Sequence, residues 1–410
     1  LTQPSVAFDP ESEKFLRDRY TVLNELRSTT PIHSYPGENS AGRACTAFVF
    51  TAYEDVLFAL RDRRFVRDSR TLLSDGATPP PPPQLQTLSA SQRNMLLFRD
   101  PPDHTRLRSL VNTAFSPRMV ASLEPRIRAV VDELLGPIET GLTFDFVQSV
   151  AIPLPVIVIA ELLGVPTEDR ALFKAWSTAF ARTIDYNPSM DTLMEGERVT
   201  IDFRDYFREL SRQRRVHPQN DLVSELIQVG MDGDRLSEEE LLDMCILILV
   251  AGHETTTNLL ANGVYLFTQF PDQQSLLREH PNLAESAVEE VLRYEPPVQF
   301  TSRAIGEDME YKGHLLKRAD LVDVWMAAAH RDPAVFDNPD HFDITRTNNR
   351  HLAFGQGIHY CLGAPLARKE GAIAFAALVQ KFAAISLATD DVQWHPSPLF
   401  RSLVELKVRV

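Results

Sequence analysis

The stretch His351 to Gly363 reads HLAFGQGIHYCLG and sets Cys361 among Gly355, Gly357 and Gly363, with Phe354 and His359 close by. A thiolate is a soft donor suited to iron. Glycines let backbone approach a flat cofactor closely and turn N–H groups toward sulfur, which stabilises the thiolate and tunes a bound metal. Gly363 to Phe382 reads as a helix, and its amino-terminal dipole would also favour negative charge on the sulfur. On these residues alone two other readings stand beside a metal ligand. One is an inert buried cysteine at a glycine turn; the other is a thiol nucleophile with His359 as its base.

The rest of the chain narrows the setting. Its 410 residues are 44% hydrophobic and 24% charged, the composition of a globular protein. A formal net charge of −14 argues against a general nucleic-acid binder, whose footprint would be basic. Cys45, Cys245 and Cys361 are odd in number and far apart, which suits a reducing compartment and not a disulfide framework. The start, LTQPSVAFDP, has no basic segment followed by an apolar core, and VAIPLPVIVIAELLGV is interrupted by Pro153, Pro155 and Glu161. A cytoplasmic protein without a membrane anchor is expected.

Periodicity predicts a mainly α chain with a smaller β portion. Helices are expected at Pro10 to Ser28, Tyr53 to Leu60, Pro102 to Phe115, Pro117 to Leu135, Ile157 to Leu163, Asp169 to Thr183, Glu195 to Arg215, Asp221 to Gln228, Ser237 to Phe270, Pro271 to Glu279, Leu283 to Tyr294 and Gly363 to Phe382. Strand patterns appear around Thr46 to Thr51, Asp308 to Val324 and in the terminal LVELKVRV. Strands from such distant segments favour one interwoven domain over residues 1–410. The proline run Pro79 to Pro83 reads as a stiff spacer within a long connection, Leu72 to Phe98, of the length of a mobile substrate loop.

The helix from Ser237 is the longest expected. Ser237 and Glu240 make a capping box, Leu236 and Leu241 a hydrophobic staple, and Pro271 marks the end. A helix of roughly thirty residues crosses a whole domain. Yet its middle is AGHETTTN, Ala251 to Asn258, a poor helical choice. Either Thr255 bonds back to the carbonyl of Ala251 in a simple bend, or that bond opens a groove where Thr255 and Glu254 pass protons to a small molecule. A third segment, AVEEVLRYEPP, places Glu290 and Arg293 one helical turn apart, in reach of an ion pair.

Together these segments resemble the cytochrome P450 family. FGQGIHYCLG matches the family's haem-ligand loop at Phe354, Gly355, Gly357, His359, Cys361 and Gly363. AGHETT matches its oxygen-groove motif, and Glu290 with Arg293 its Glu-x-x-Arg pair, in the family's order. The resemblance implies the P450 fold, a helix-rich prism with haem buried between the long central helix and the ligand-loop helix. It implies haem b (iron protoporphyrin IX) with Cys361 as the proximal metal ligand, screened by Phe354. Thr255 and Glu254 would be the catalytic proton-handling pair, with Ala251 and Gly252 leaving room for dioxygen. His104 and Arg108, four apart in DPPDHTRLR, together with Arg303 and His359, look like the family's contacts to the haem propionates. The family's structural Glu290–Arg293 pair engages a later arginine of a Pro-x-Arg-Phe segment; here NPDHFD offers His341 at that place.

By position, Met95, Leu96, Leu97, Leu247, Ile248, Val250, Val298, Phe300, Leu399 and Phe400 would wall an apolar pocket for a lipophilic small molecule, with Trp176, Phe180 and Ile184 in its roof. About fifty residues follow Cys361, too few for a flavin or iron–sulfur module. Electrons are therefore expected from a separate ferredoxin or flavodoxin with its reductase, with Arg368 and Lys369 offering a basic docking patch. The expected reaction inserts one atom of O2 into the substrate, by hydroxylation or epoxidation. The rivals are a peroxide-driven oxygenase or isomerase on the same haem, a non-catalytic haem-binding protein, and a thiol hydrolase.

Overall fold

The computed structural model describes residues 8–39, 42–72, 80–229 and 234–410, apart from the side chain of Pro117. Its centre is the helix Glu238–Gln269, opened by the expected capping box: Ser237 N donates to Glu240 Oε2 at 2.9 Å and Glu240 N to Ser237 Oγ at 3.2 Å. This helix is apolar and long enough to cross a membrane, but 72% of its most apolar window is buried inside the fold. It packs against Pro153–Leu163, Arg170–Arg182 and Ala364–Lys381. The last approach is close: a Cβ on Gly263 would meet Phe375 Cζ at 2.2 Å.

Other helices depart from expectation at their ends. The predicted helix Pro10 to Ser28 is two, Glu13–Arg17 and Arg19–Thr29, broken at Asp18 with φ −137° and ψ 56°. The helix expected from Ile157 already starts at Pro153, after a wide turn over Val147–Ala151, and ends on the left-handed Gly164. Met190–Val216 begins earlier than predicted because Ser189 caps it, accepting from Thr192 N at 3.2 Å. The connection after Leu72, expected as loop, contains the helix Gln86–Asn94. Its first-turn N–H groups of Thr87 and Leu88 donate to Glu197 at 3.0 and 2.6 Å, a cap supplied from the long helix Met190–Val216 and invisible locally. Residues 73–79, with Pro79 of the proline run, lie outside the described residues.

A five-stranded sheet runs in the order Ile32–Glu38, Ala44–Phe50, Leu321–Val324, Thr301–Ile305, Phe65–Val66. The second and third strands are parallel, Ala47 opposite Leu321, and the other pairs antiparallel. Pro36 and Gly37 hid the first strand in the sequence; at a sheet edge they are tolerated. The predicted strand region Asp308 to Val324 divides into a hairpin, Met309–Tyr311 with His314–Leu316, and the central Leu321–Val324. The terminal strand Lys407–Arg409 lies between Thr143–Asp145 and Ser386–Leu387.

Candidate active site

Cys361 lies between the turn Gly357–His359 and the helix Ala364–Lys381. Its N–H donates to Phe354 O at 2.9 Å. Burial pushes the Cys361 thiol up, while the N–H groups of Gly363 and Ala364 and the guanidinium groups of Arg108 and Arg368 pull the other way. The Gly363 and Ala364 amides lie near enough to favour charge on the sulfur, against the larger effect of burial. Gly355 and Gly357 have φ of +69° and +70°, and a Cβ on Gly357 would meet Leu60 O at 2.6 Å, so turn geometry and a neighbouring backbone account for these two glycines. The Arg368 guanidinium covers the Phe354 ring at 4.4 Å.

Around this loop the fold gathers basic side chains from three segments: His104 and Arg108 on the helix Asp103–Ala114, Arg303 on the strand Thr301–Ile305, and His359 on the loop itself. The His104 and His359 rings lie 4.4 Å apart, and Nε2 of each is buried with no hydrogen-bond partner. Burial, with His359 and Arg108 adding to it, holds His104 down to about 4. Arg108 makes no hydrogen bond among the described residues, and Arg303 is only 6% exposed yet donates to neutral oxygens alone. The carboxylate of the group, Asp100, accepts from the N–H groups of Arg67 and Asp68 and lies 3.9 Å from His359 Nε2. Positive groups and orphaned ring nitrogens in such excess match a flat cofactor that brings its own carboxylates. Haem fits these residues.

On the central helix Thr255 Oγ1 donates to Ala251 O at 2.7 Å, the back-bond read from the sequence, and the helix continues through it. Ala251 faces the main cavity, but Gly252 does not. It turns to Ile159, where an added Cβ would meet Cδ1 at 3.1 Å, so helix packing and not a space for dioxygen accounts for this glycine. Glu254 Oε1 accepts from Thr178 Oγ1 at 2.6 Å, and one residue earlier Ser177 Oγ lies 2.8 Å from His253 Nδ1. Both bonds join the central helix to Arg170–Arg182.

The main cavity, about 580 Å³, is lined by Ala251, Glu254, Thr255 and Arg303. Met95, Leu97, Leu247, Val250, Val298, Phe300, Leu399 and Phe400 line it, with Phe180 and Ile184. Leu96 and Ile248 do not; they are buried in the core. Nor does Trp176, which turns into an aromatic cluster with Phe173 and Phe203 at 5.5 and 5.1 Å. Asp185, Tyr186, Ser302 and Arg67 add polar wall that the sequence reading lacked. A second cavity of about 620 Å³, more polar and lined by Lys174, Arg182, Thr257 and His395, meets the first at Glu254.

Behind the cysteine loop Arg293 forms a fork on Glu290, Nε to Oε2 and Nη2 to Oε1 both 2.8 Å, with both side chains fully buried. The third side chain is Arg346, whose Nε lies 3.2 Å from Glu290 Oε2; Asn349 Nδ2 adds a bond at 3.0 Å. His341 is corrected by this geometry: it contributes its carbonyl, to Arg293 Nη2 at 3.0 Å, while its side chain is exposed. The guanidinium arrives five residues later than the motif places it, around the turn at Asp343. The expected basic patch also changes. Arg368 is forked onto Glu289 at 2.6 and 2.9 Å and Lys369 pairs with Glu124 at 3.1 Å, so neither carries an unneutralised charge. Exposed Arg61 and Arg350 flank the loop instead.

A glycine-rich thiol loop, a cluster of basic groups with one carboxylate among them and an apolar chamber under a threonine–glutamate pair fit a haem-dependent oxidoreductase. Comparison with known proteins agrees. The cytochrome P450 family model matches residues 169–398. The biotin biosynthesis cytochrome P450 of Bacillus subtilis (strain 168) is 40% identical over 98% of this chain and 99% of its own length. The polyketide biosynthesis cytochrome P450 PksS of the same organism is 39% identical over 98% of both. The crystal structure of P450BioI with an acyl carrier protein ligated to hexadec-9Z-enoic acid superposes with a TM-score of 0.88 at 40% identity, covering 98% of this chain and 100% of that one. This chain belongs to the cytochrome P450 family, and it is an oxygen-incorporating, haem-dependent monooxygenase.

Proposed function

We propose that the chain binds haem b with Cys361 as the proximal ligand and His104, Arg108, Arg303 and His359 on its carboxylates, and inserts one oxygen atom from O2 into a lipophilic small molecule held in the main cavity. The observation that carries this is the basic cluster, which runs from the Cys361 loop through His359 and Asp100 to Arg67, and from Arg67 through the shared acceptor Thr301 Oγ1 to Arg303 on the cavity wall. When bound, the haem supplies activation of dioxygen. The protein's part is positional and protic. Amides of Gly363 and Ala364 hold charge on the sulfur. Thr255 Oγ1, its own proton committed to Ala251 O, keeps its lone pairs as an acceptor at the cavity. Glu254 Oε1, on the wall between the polar side cavity and the main one, would carry protons from the former to the latter.

The apolar lining supports hydroxylation or epoxidation of a lipid-, terpenoid- or polyketide-like molecule. Relatives named for biotin biosynthesis and polyketide biosynthesis favour the same reading. Electrons would come from a ferredoxin or flavodoxin with its reductase, docking beside the cysteine loop near Arg61 and Arg350, in a cytoplasmic setting. The test compares turnover on a panel of substrates that shift the haem spectrum, with dioxygen plus a ferredoxin and its reductase against peroxide alone. Product with the electron donor supports the reading; product only with peroxide makes this a peroxide-driven oxygenase, and haem binding without any product makes it a carrier.

A further inference from the structure

A second guanidinium stands beside Arg303. Arg67 Nη1 donates to Thr301 Oγ1 at 3.1 Å and to Ser302 O at 2.7 Å; Arg303 Nη1 donates to the same two oxygens, each at 2.9 Å. Shared acceptors put two like charges side by side. The remaining contacts of Arg67 are neutral too, Nε on Leu97 O at 3.1 Å and the guanidinium over the Phe98 ring at 5.4 Å. Among the described residues neither arginine has a carboxylate within ion-pair distance. Asp100, which both feel, is occupied by the backbone N–H groups of Arg67 and Asp68.

Burial pushes Arg67 down to about 10 and Arg303 well below its ordinary value, Arg67 adding to the latter. Arg303 is buried and Arg67 half-buried; side by side and held only by neutral oxygens, the two cations repel each other, and Arg303 lacks the counter-charge that would offset the cost of its burial. Both line the main cavity. Planar guanidinium forks match the geometry of a carboxylate and are far better partners for it than for neutral carbonyls.

We propose that Arg67 and Arg303 form a carboxylate-binding pair in the cavity wall, making Arg67 a fifth basic group for the haem carboxylates beside His104, Arg108, Arg303 and His359. This rests on the haem reading of the site. A carboxylate on the substrate has the same chemistry, so the experiment separates the two sources.

Haem loss to excess apomyoglobin is followed for wild type, Arg67→Gln and Arg67→Lys, each loaded with haem or with its dimethyl ester, and binding of dodecanoate and dodecanol is measured by calorimetry. The expected result is haem loss roughly tenfold faster in Arg67→Gln, the equivalent of about one charged hydrogen bond. Arg67→Lys should fall between, and the difference should vanish with the dimethyl ester, which a general weakening of the fold would not produce. Unchanged haem loss with roughly tenfold weaker dodecanoate binding and unchanged dodecanol would support the pair and assign it to a substrate carboxylate. If neither changes in either variant, the proposal is overturned. Wild type that holds no haem would instead contradict the proposed function, and dodecanoate binding to the apoprotein would still decide the pair.

Discussion

Thr178 Oγ1 donates to Glu254 Oε1 at 2.6 Å, so the helix over the chamber holds the carboxylate of the central helix in place between the two cavities. Thr178→Val removes the donor without changing the side chain's volume much. Product formed per reducing equivalent should fall about two- to threefold, with more peroxide released, while Thr178→Ser keeps wild-type coupling. Glu254→Gln should cost more turnover than Thr178→Val at unchanged haem content. Stoichiometry of cofactor oxidation, peroxide and product checks this; wild-type coupling in Thr178→Val would remove the positioning role.

Glu290 is fully buried and depends on two arginines. Arg346→Leu should destabilise the fold by about 2 kcal/mol, since Arg293 still neutralises the carboxylate but one charged bond is lost. His341→Ala should stay within about 0.5 kcal/mol, because only the carbonyl is used. Urea melts of both variants test the pair together.

The glycines of the cysteine loop should separate into two kinds. Gly357→Ala meets both the left-handed φ and Leu60 O, and should cost at least about 1 kcal/mol in the apoprotein. Gly363 has no such φ, and its added Cβ would only touch Cys361 Sγ at 4.0 Å. Gly363→Ala should therefore leave apoprotein stability unchanged, and any loss of haem affinity in it would report the cofactor's need for that space.

Glu370 is 1% exposed with Oε1 unpartnered, and burial pushes its carboxyl up to about 8. A raised folded value means that the proton stays on in the fold after the unfolded chain has lost it. The contribution to stability is whole below about 4.5 and is lost as pH rises toward about 8. Glu370→Gln removes that slope, so the melting temperature of the variant relative to wild type should rise between pH 5 and 8. Parallel curves over that range would show that Glu370 ionises in the fold as it does unfolded.

The chemistry of the site was legible wherever it is local in sequence. Cys361 and its amides, Thr255 with its back-bond, Ser237 with Glu240 and Glu290 with Arg293 are each local in sequence, so spacing puts the partners in reach, while their roles came from the family resemblance. What was missed depends on chain returning from far away. Arg67 meets Arg303 only because the strands Phe65–Val66 and Thr301–Ile305 pair. Arg346 reaches Glu290 around a turn, and the helix Gln86–Asn94 takes its cap from Glu197. Gly252 matched the oxygen-groove motif, yet Ile159 explains it, a packing relation no motif encodes.

If Cys361 binds haem iron as a thiolate, the spectrum of the reduced protein under carbon monoxide reports it. Wild type should show the strongly red-shifted Soret band of thiolate ligation, and Cys361→Ala should lose it while remaining folded. A wild-type spectrum without that band, or a Cys361→Ala spectrum that keeps it, would show that Cys361 is not the ligand.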